Sequence, residues 1–259
     1  MENHTSFNIQ IFGQTKASNQ EVMIILAQII REFDIVAIQE IRDIAGTAII
    51  ALQDQVNADG SDYEVLVGPR VGRTTSKEQY AYMYDTRTIE ALSNSYTFND
   101  IGDLFEREPF VAQFTVKSAK FDFVLINIHT KPDDATAEIE LLPDVIADVP
   151  SHINEPDIIC LGDYNADGSY FDESRYTTIF PNNQYNWLID NSEDTTVAVS
   201  DNTYDRIVTT FNTNEDFAGI VEVYRFDQVY DYNSPTLEPD DVSDHYPIWA
   251  EFYTDKDLD

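Results

Sequence analysis

Four short strings of the sequence bring together side chains that can bind a divalent cation and move protons. They are Gln39-Glu40, Asn127-Ile128-His129, Gly162-Asp163-Tyr164-Asn165 and Ser243-Asp244-His245. Carboxylate and amide oxygens are ligands for hard cations such as Mg²⁺, and imidazole changes its charge near neutral pH. Hydrolysis of a phosphate ester needs both kinds of group, so the strings predict a metal-dependent phosphodiesterase.

The predicted secondary structure places these strings at the ends of strands. Alternating apolar and polar residues predict a strand over 7–12, and an apolar run predicts a buried strand over 34–40 that ends on Glu40. Further strands are predicted over 63–67, 79–84, 89–96, 110–116, 121–128, 157–161, 205–210, 220–226 and 245–252. Apolar residues at helical spacing predict helices after Asn19, over 45–56 and over 135–149, the last weakened by Pro143. The mixture predicts an α/β fold of two packed sheets with outer helices.

Length and composition predict one globular domain over residues 1–259, with 1–5 and 254–259 expected to fray. The chain has 42% hydrophobic residues but no apolar run long enough to span a bilayer, so no membrane contact is expected. Its one cysteine, Cys160, lies in an apolar run and is expected to be a buried structural thiol. No intrachain disulfide is possible.

The formal net charge is −33, from 15 basic and 48 acidic residues. Such a charge disfavours contact with polyanions at low salt, and it indicates either adaptation to a salty habitat or a partner that is not anionic. Six of the 15 cationic residues nevertheless flank the candidate strings, which favours an anionic substrate. They are Arg42, Arg73, Lys77, Arg107, Lys131 and Arg206.

Each string is weak evidence by itself. A glutamate after a strand is usually solvated, a single histidine is usually structural, and an Asp-x-Asn sequence usually forms an Asx turn. The prediction therefore depends on the strings occurring together and in this order.

That order resembles the endonuclease/exonuclease/phosphatase superfamily, and most closely its secreted deoxyribonuclease I branch. The resemblance runs from about Phe7 to Phe252. Gly162-Asp163-Tyr164-Asn165 and Ser243-Asp244-His245 mark the superfamily. Tyr204-Asp205-Arg206-Ile207-Val208 and Arg107-Glu108-Pro109 favour the deoxyribonuclease branch over abasic-site endonucleases, inositol phosphatases and sphingomyelinases. The resemblance implies a four-layer α-β-β-α sandwich, with two mixed β-sheets packed face to face between outer helices.

The resemblance also implies roles for the site residues. Glu40, Asn8, Asp163 and Asp244 would hold Mg²⁺ (or Mn²⁺), and Asp163 with Asn165 would also bind the phosphate. His245, oriented by Asp205, would accept the proton of the attacking water. His129, oriented by Glu78, would act opposite it as general acid or phosphate donor. The reverse assignment of acid and base remains open.

Arg42, Arg73, Arg107 and Tyr170 match positions that contact DNA in this family. Other contact positions differ, because Thr74 and Ser76 stand where the family has an Asn and a groove-inserting Tyr, and Gln10 replaces an Arg. Loss of the ring and of one cation is expected to weaken duplex binding or to alter sequence preference.

The structural cysteines of the family are absent. Gly168 and Thr203 occupy the places of its main disulfide, and residues 99–105 replace a small Cys loop. Bound Ca²⁺ is one expected source of compensating stability, held by Asp100, Asp103 and Glu108 at one site and by Asp194 and Thr196 at another. The alternative is that these are solvated acidic loops.

Taken together, these features predict a Mg²⁺-dependent, Ca²⁺-assisted endonuclease. It would nick double-stranded DNA with low sequence specificity, leave 5′-phosphate and 3′-hydroxyl ends and stay active at high salt. A secreted monomer without a protein partner is expected, any signal peptide lying outside this chain. The alternatives are a superfamily phosphatase or phosphodiesterase acting on a lipid or sugar phosphate, and a non-catalytic binding protein.

Overall fold

The structure is a computed structural model, and it describes residues 1–230 and 237–257. The strands of these residues are β1 (Glu2–Phe12), β2 (Ile35–Ile41), β3 (Tyr63–Val67), β4 (Gln79–Asp85), β5 (Ile89–Ala91), β6 (Tyr96–Thr97), β7 (Phe110–Val116), β8 (Asp122–His129), β9 (Ile158–Asp163), β10 (Tyr185–Trp187), β11 (Asp205–Thr210), β12 (Phe217–Val223) and β13 (Ile248–Phe252). The helices are α1 (Gln14–Ala17), α2 (Gln20–Ile30), α3 (Ala48–Val56), α4 (Ala135–Asp148), α5 (Tyr176–Ile179), α6 (Phe226–Val229) and α7 (Pro239–Val242).

The described strands form two mixed sheets. One has the order β12-β13-β1-β2-β4-β3, and the other has the order β10-β11-β9-β8-β7-β5, with β6 also paired to β7. The pairs β1/β2 and β8/β9 are parallel, whereas the neighbouring pairs such as β2/β4 and β9/β11 are antiparallel. Each sheet therefore has one parallel pair near its centre.

Three hydrophobic cores hold the layers together. The core between the two sheets contains residues of both, such as Tyr82 and Phe114. A second core packs α2 and α3 on the outer face of the first sheet, and a third packs α4 on the outer face of the second. Because both of its faces are covered, β2 is buried at all seven positions. The predicted four-layer α-β-β-α sandwich is confirmed.

The amino-terminal end differs from the prediction. Residues 1–5 were expected to fray, but β1 begins at Glu2, which pairs with Phe252 of β13. His4 and Thr5 are buried in the same strand. Sequence periodicity does not reveal this pairing, because the partner strand lies at the far end of the chain. At the other end, residues 254–257 form no strand or helix, and 258–259 lie outside the described residues.

Several element boundaries also move. Helix α3 begins at Ala48 rather than at residue 45, since the Asp43 carboxylate accepts the backbone N–H groups of Thr47 (2.7 Å) and Ala48 (2.8 Å). The strand predicted over 89–96 is two short strands, and the strand predicted to begin at 245 begins at Ile248. Helix α4 forms with Pro143 inside it. Within the described residues, no helix combines the length and apolar character needed to cross a bilayer.

Candidate active site

Asp163, the last residue of β9, lies where the two sheets meet at one rim. It pairs in register with His129 of β8 and with Asp205 of β11. From the other sheet, the Asn8 side chain donates to Asp163 Oδ2 at 3.0 Å. The residue before it, Gly162, has φ 155°, and a Cβ there would lie 1.9 Å from the Ile128 carbonyl oxygen. Only glycine therefore lets β9 approach β8 closely enough to place Asp163 here.

Two imidazoles face this aspartate. His129 Nδ1 lies 2.9 Å from Glu78 Oε2, and His245 Nδ1 lies 2.8 Å from Asp205 Oδ2. The Nε2 atoms of His129 and His245 lie 3.4 Å and 3.6 Å from the same oxygen, Asp163 Oδ2. The structure thus brings together Glu78, His129, Asp163, Asp205 and His245, which the sequence predicted as catalytic. Two His–carboxylate pairs converge on one point.

The neighbouring carboxylates raise the pKa values of both histidines. Burial opposes the charged form of His245, but the charges of Asp205 and Asp163 outweigh it and hold the pKa of His245 well above its ordinary value. Burial and Arg107 lower the pKa of His129, yet Glu78 and Asp163 raise it on balance. Burial would raise the pKa of Glu78, but His129 and Arg107 lower it to about 2. The neighbouring carboxylates therefore stabilise the protonated form of each imidazole relative to that of a free imidazole.

Asn165, also predicted as catalytic, is held rigidly beside the pairs. Its backbone lies in the left-handed region with φ 49°, and its N–H donates to Asp163 Oδ1 at 3.0 Å. Its side-chain amide donates to the Thr130 carbonyl at 3.1 Å. A strained residue that persists in a buried rim is typical of functional sites, because the surrounding bonds must offset about 1–3 kcal/mol.

Oxygen ligands for a cation lie next to the histidines. Asn8 Nδ2 lies 3.3 Å from Glu40 Oε1 as well as 3.0 Å from Asp163 Oδ2, so Asn8 joins the two carboxylates. Asp244 Oδ1 lies 3.9 Å from His245 Nε2, and among the described residues it is buried without a hydrogen-bond partner. Buried oxygens are normally paired, so this one is available to a ligand. The donor types of Glu40, Asn8, Asp163 and Asp244 suit a hard divalent cation. Among the described residues, the three carboxylates do not form a group whose ligand atoms all lie within 4.8 Å of one another.

A second grouping, of Asp163, Asp205 and His245, has ligand atoms within 4.8 Å of one another. We interpret it as a proton relay rather than a metal centre. Asp205 occupies Nδ1 of His245, and hard cations prefer oxygen to imidazole nitrogen.

Two arginines connect the carboxylates. Arg42 Nη2 lies 2.9 Å from Glu40 Oε2 and 2.8 Å from Glu78 Oε1. Arg107 lies 3.3 Å from Glu78 Oε1 and donates to the carbonyls of His129 and Thr130, both at 3.1 Å. The Arg107 side chain is only 6% exposed. The expectation that it contacts DNA finds no support in this placement, which instead orients the Glu78–His129 pair.

The other two predicted DNA contacts lie at the edge of the site. Arg73 donates to the Asp103 carbonyl at 2.6 Å and keeps a third of its side chain exposed. The Tyr170 ring lies 5.8 Å from the Tyr204 ring, between centroids, and is tilted by 48° to it. The Tyr204 ring lies 6.3 Å from the His245 ring. Tyr204 belongs to a string that favours the deoxyribonuclease branch, but the sequence assigned it no role in the site. Its proximity to His245 becomes visible only when β11 and the 243–247 segment are placed.

The predicted Ca²⁺ cages are not assembled. Among the described residues, Asp100, Asp103 and Glu108 do not form a group of three converging ligands. The Asp100 carboxylate instead accepts the backbone N–H groups of Leu104 (2.5 Å) and Phe105 (2.7 Å). At the other predicted site, Asp194 Oδ1 accepts the N–H and hydroxyl of Thr196, both at 3.0 Å, while Asp194 Oδ2 lies 3.4 Å from Arg225. These carboxylates hold local structure.

An aspartate also connects the two positions where relatives were inferred to have a disulfide. The Asp167 carboxylate accepts the N–H of Gly168 and, at 2.8 Å, the N–H of Thr203. The loop that replaces the small Cys loop is closed in the same way by Asp100. We refer to Asp100 and Asp167 as the aspartate clamps.

One further residue near the site was missed from the sequence. Lys16 of α1 donates to the carbonyls of Ile9 (3.2 Å) and Val242 (3.0 Å) and lies 3.5 Å from Gln10 Oε1. No pattern could have identified it, because its acceptors are mainly backbone oxygens far apart in the chain.

Comparisons with known proteins agree with this geometry. Residues 5–245 match the model of the endonuclease/exonuclease/phosphatase family. The chain is 35% identical over 254 residues to deoxyribonuclease-1 of Oryctolagus cuniculus, covering 94% of this chain and 89% of that protein. It is also 35% identical over 252 residues to deoxyribonuclease-1-like 1 of Homo sapiens, covering 95% and 82%.

Solved structures give the same fold at lower identity. The human Nocturnin catalytic domain with bound sulfate superposes with a TM-score of 0.65 at 14% identity, over 97% of this chain and 92% of that one. Danio rerio TDP2 in complex with a single-strand DNA product gives 0.67 at 14%, over 98% and 99%. With the family match and the identity to the deoxyribonucleases, the chain belongs to the endonuclease/exonuclease/phosphatase family as a deoxyribonuclease I-like member.

Proposed function

We propose that this protein is a metal-dependent endonuclease that hydrolyses phosphodiester bonds of DNA. The observation that carries the proposal is the pair of imidazoles whose Nε2 atoms lie 3.4 Å and 3.6 Å from one Asp163 oxygen. Each imidazole has its own carboxylate on Nδ1. Oxygen ligands lie beside them, and relatives named as deoxyribonucleases share about a third of the sequence.

Each of the site residues has a separate role in an in-line displacement at phosphorus. Glu40, Asn8, Asp163 and Asp244 would hold Mg²⁺ or Mn²⁺, which when bound neutralises negative charge on the phosphate. One histidine accepts the proton of the attacking water, and the other donates a proton to the leaving oxygen. Glu78 and Asp205 fix the tautomers, so that Nε2 of each ring faces the phosphate. Departure of the 3′ oxygen leaves 3′-hydroxyl and 5′-phosphate ends.

The assignment of base and acid stays open. A base must be neutral before it accepts a proton, and an acid must be protonated. The pKa values of both histidines are raised by neighbouring carboxylates. His245 with Asp205 as base and His129 with Glu78 as acid follows the family resemblance, and the pH experiments in the Discussion separate it from the reverse.

Double-stranded DNA is the proposed substrate, cleaved with little sequence preference. Arg42 and Arg73 each keep about a third of the side chain exposed at the rim and would contact phosphates, which position the duplex without reading bases. Tyr170 is the proposed aromatic contact. Ca²⁺ assistance remains a proposal that the local bonding of Asp100 and Asp194 does not strengthen.

The net charge of −33 supports adaptation to high salt, because screening both reduces self-repulsion and permits approach to DNA. A secreted, monomeric enzyme without a membrane or protein partner is proposed from the resemblance to secreted deoxyribonuclease I.

Relaxation of supercoiled plasmid tests the proposal. The purified protein should convert supercoiled to nicked circles with Mg²⁺ or Mn²⁺, faster when Ca²⁺ is added, and EDTA should abolish the reaction. End-labelling should find 5′-phosphates. A folded protein that leaves plasmid intact with every ion overturns the proposal. Hydrolysis of a lipid or sugar phosphate would then favour the phosphatase or phosphodiesterase alternative.

A further inference from the structure

Residues at and beside the oxygen ligands have unfavourable backbone dihedral angles. Gln10, Ile11 and Glu40 have positive φ values of 35°, 49° and 61°. The register between β1 and β2 shifts between Asn8 and Phe12, so these residues form an irregularity in an otherwise regular parallel pair. Residues with a Cβ persist in this region only when their surroundings hold them there. We refer to this irregularity at Gln10 and Ile11 of β1 as the turn. Contacts with other residues must therefore hold the turn in its conformation.

Part of the support comes from the site itself. Glu40 Oε2 accepts the Ile11 N–H at 2.8 Å, and Asn8 Oδ1 accepts the Gln10 N–H at 2.9 Å. Both bonds use groups that are also proposed to hold the cation. A cation that attracts these oxygens would compete with the bonds, so they cannot be the only support of the turn.

Lys16 supplies support that does not use these ligand oxygens. Its ammonium donates to the Ile9 carbonyl at 3.2 Å on the turn and to the Val242 carbonyl at 3.0 Å on the segment before Asp244. Gln10 Oε1 lies 3.5 Å away. Lys16 thus connects the strand end that carries Asn8 with the segment that carries Asp244, beside the bond of 2.6 Å from Ser243 Oγ to the Asn8 carbonyl.

The geometry also separates this role from a direct contact with substrate. An ammonium has three protons, and three acceptor oxygens surround this one. A phosphate could bind Lys16 only by displacing one of them. The half-buried ammonium therefore acts through the backbone it holds.

We propose that Lys16 is a positioning residue that fixes the strained turn at Gln10 and Ile11 against residues 242–244, and thereby sets the spacing of Asn8 and Glu40 relative to Asp244. The inference rests on the proposed function, in which these three side chains bind a divalent cation. Loss of a residue that orients ligands typically weakens metal binding by about 10–100-fold.

The first test is Lys16→Met, which keeps the length of the side chain and removes its donors. We expect Mn²⁺ binding, measured by calorimetry and by the electron paramagnetic resonance of free Mn²⁺ without DNA, to weaken about tenfold or more. The Mg²⁺ concentration for half-maximal nicking should rise by a similar factor, with a smaller change in the rate at saturating Mg²⁺. Lys16→Arg, which retains donors, should lie between Lys16→Met and the parent protein.

The matched control is Lys120→Met. Lys120 is exposed in the turn before β8, at the end of the strand opposite His129, and its removal changes the net charge equally. Its Mn²⁺ affinity should equal that of the parent. A net-charge effect would strengthen Mn²⁺ binding in both variants, because each loses one positive charge. Equal changes of Mn²⁺ affinity in the two variants would overturn the proposal, as would unchanged Mn²⁺ affinity in Lys16→Met.

A second variant tests the turn directly. Ile11→Gly places the residue that adopts positive φ most readily at a position whose side chain is exposed. Added to Lys16→Met, it should recover part of the lost Mn²⁺ affinity; if Lys16→Met does not fold, intermediate affinity in Lys16→Arg is the supporting result and parent-like affinity the contrary one. Failure of the parent protein to bind Mn²⁺ would instead overturn the proposed function.

Discussion

Buried histidines at the two ends of the sheet sandwich have pKa values shifted in opposite directions. At the rim that carries the candidate site, His129 and His245 have a carboxylate on Nδ1, and their pKa values are raised. At the opposite end, His4 of β1 lies among Phe121, Phe123 and Phe252. Neither of its ring nitrogens has a hydrogen-bond partner among the described residues, and burial lowers its pKa to about 3.

Burial is common to the three residues, so burial alone does not explain their charge states. The neighbouring groups explain the difference in pKa. A carboxylate within hydrogen-bond distance outweighs desolvation, whereas a phenylalanine cluster leaves desolvation unopposed. His4 and Asn8 are only four positions apart on β1, roughly 13 Å at the rise of a strand. One strand therefore connects an apolar environment to a strongly charged one.

Removal of the site imidazoles should have the largest effect. His245→Ala and His129→Ala should each reduce nicking about 10³-fold, because each removes a group that transfers a proton. Initial rates of plasmid relaxation measure the loss, and circular dichroism checks the fold. His4→Phe is the matched control and should nick at the parent rate. Comparable loss in His4→Phe, or retained activity in His245→Ala, would erase the functional distinction between the two ends.

Removal of the partners should have the next largest effect. Asp205→Asn and Glu78→Gln should each reduce nicking about 10²-fold, since each leaves an imidazole without the group that fixes its tautomer. A carboxylate raises the pKa of its histidine, so its loss should lower that pKa.

The pH–rate profiles then identify the base. The acidic limb reports the group that must be deprotonated, and the basic limb reports the group that must be protonated. If His245 is the base, Asp205→Asn should move the acidic limb to lower pH and Glu78→Gln should move the basic limb. The opposite pattern would assign the base to His129, and no movement of either limb would separate these carboxylates from proton transfer.

The stability effect of His4 is expected to be smaller. Its pKa is about 3 in the folded protein and 6.5 in an unperturbed side chain, so the unfolded chain binds the proton first as the pH falls. The contribution of neutral His4 to the free energy of unfolding is complete above about pH 6.5 and is lost progressively as the pH falls from there to about 3. At pH 5 the loss relative to pH 7.5 should be about 2 kcal/mol.

Urea unfolding of the parent protein and of His4→Phe, from pH 7.5 to 5, measures this loss. The two free energies of unfolding should diverge by the stated amount, the parent falling relative to the variant. Glu2 and Glu155 have raised pKa values, about 8 and about 9, with burial as the main cause, and they act in the opposite direction. Both proteins contain them, so their contribution cancels in the difference. A constant difference across this range would show that His4 does not titrate as proposed.

Salt should have the smallest effect on the site itself. The His–carboxylate pairs are buried, and buried pairs are screened much less than exposed ones. Screening of the −33 surface should favour approach to DNA, while screening of Arg42 and Arg73 should oppose it. We expect nicking at 1–2 M NaCl, roughly the strong-screening regime, to stay within about threefold of that at 0.1 M. A collapse of activity at high salt, with the fold intact, would contradict the proposed salt adaptation.

Much of the fold and of the site could be predicted because short-range patterns carry the information. The centres of β2, β7, β8 and β9 follow from apolar runs, and the motif strings sit at strand ends. The burial of Arg107 could not be predicted, because it depends on where Glu78 and Thr130 lie in space. The first residues of β1 were missed for a related reason, since their pairing partner, β13, lies at the far end of the chain.

The aspartate clamps close two loops of this protein without a disulfide bond. Covalent cross-links between cysteines exist only where oxidants maintain them, whereas hydrogen bonds from the backbone to a carboxylate need no oxidant. The sequence has one cysteine, and Cys160 is buried. Thiol reductants therefore have no intrachain bridge to break in this sequence, and they leave the hydrogen bonds that close the loops at Asp100 and Asp167 intact.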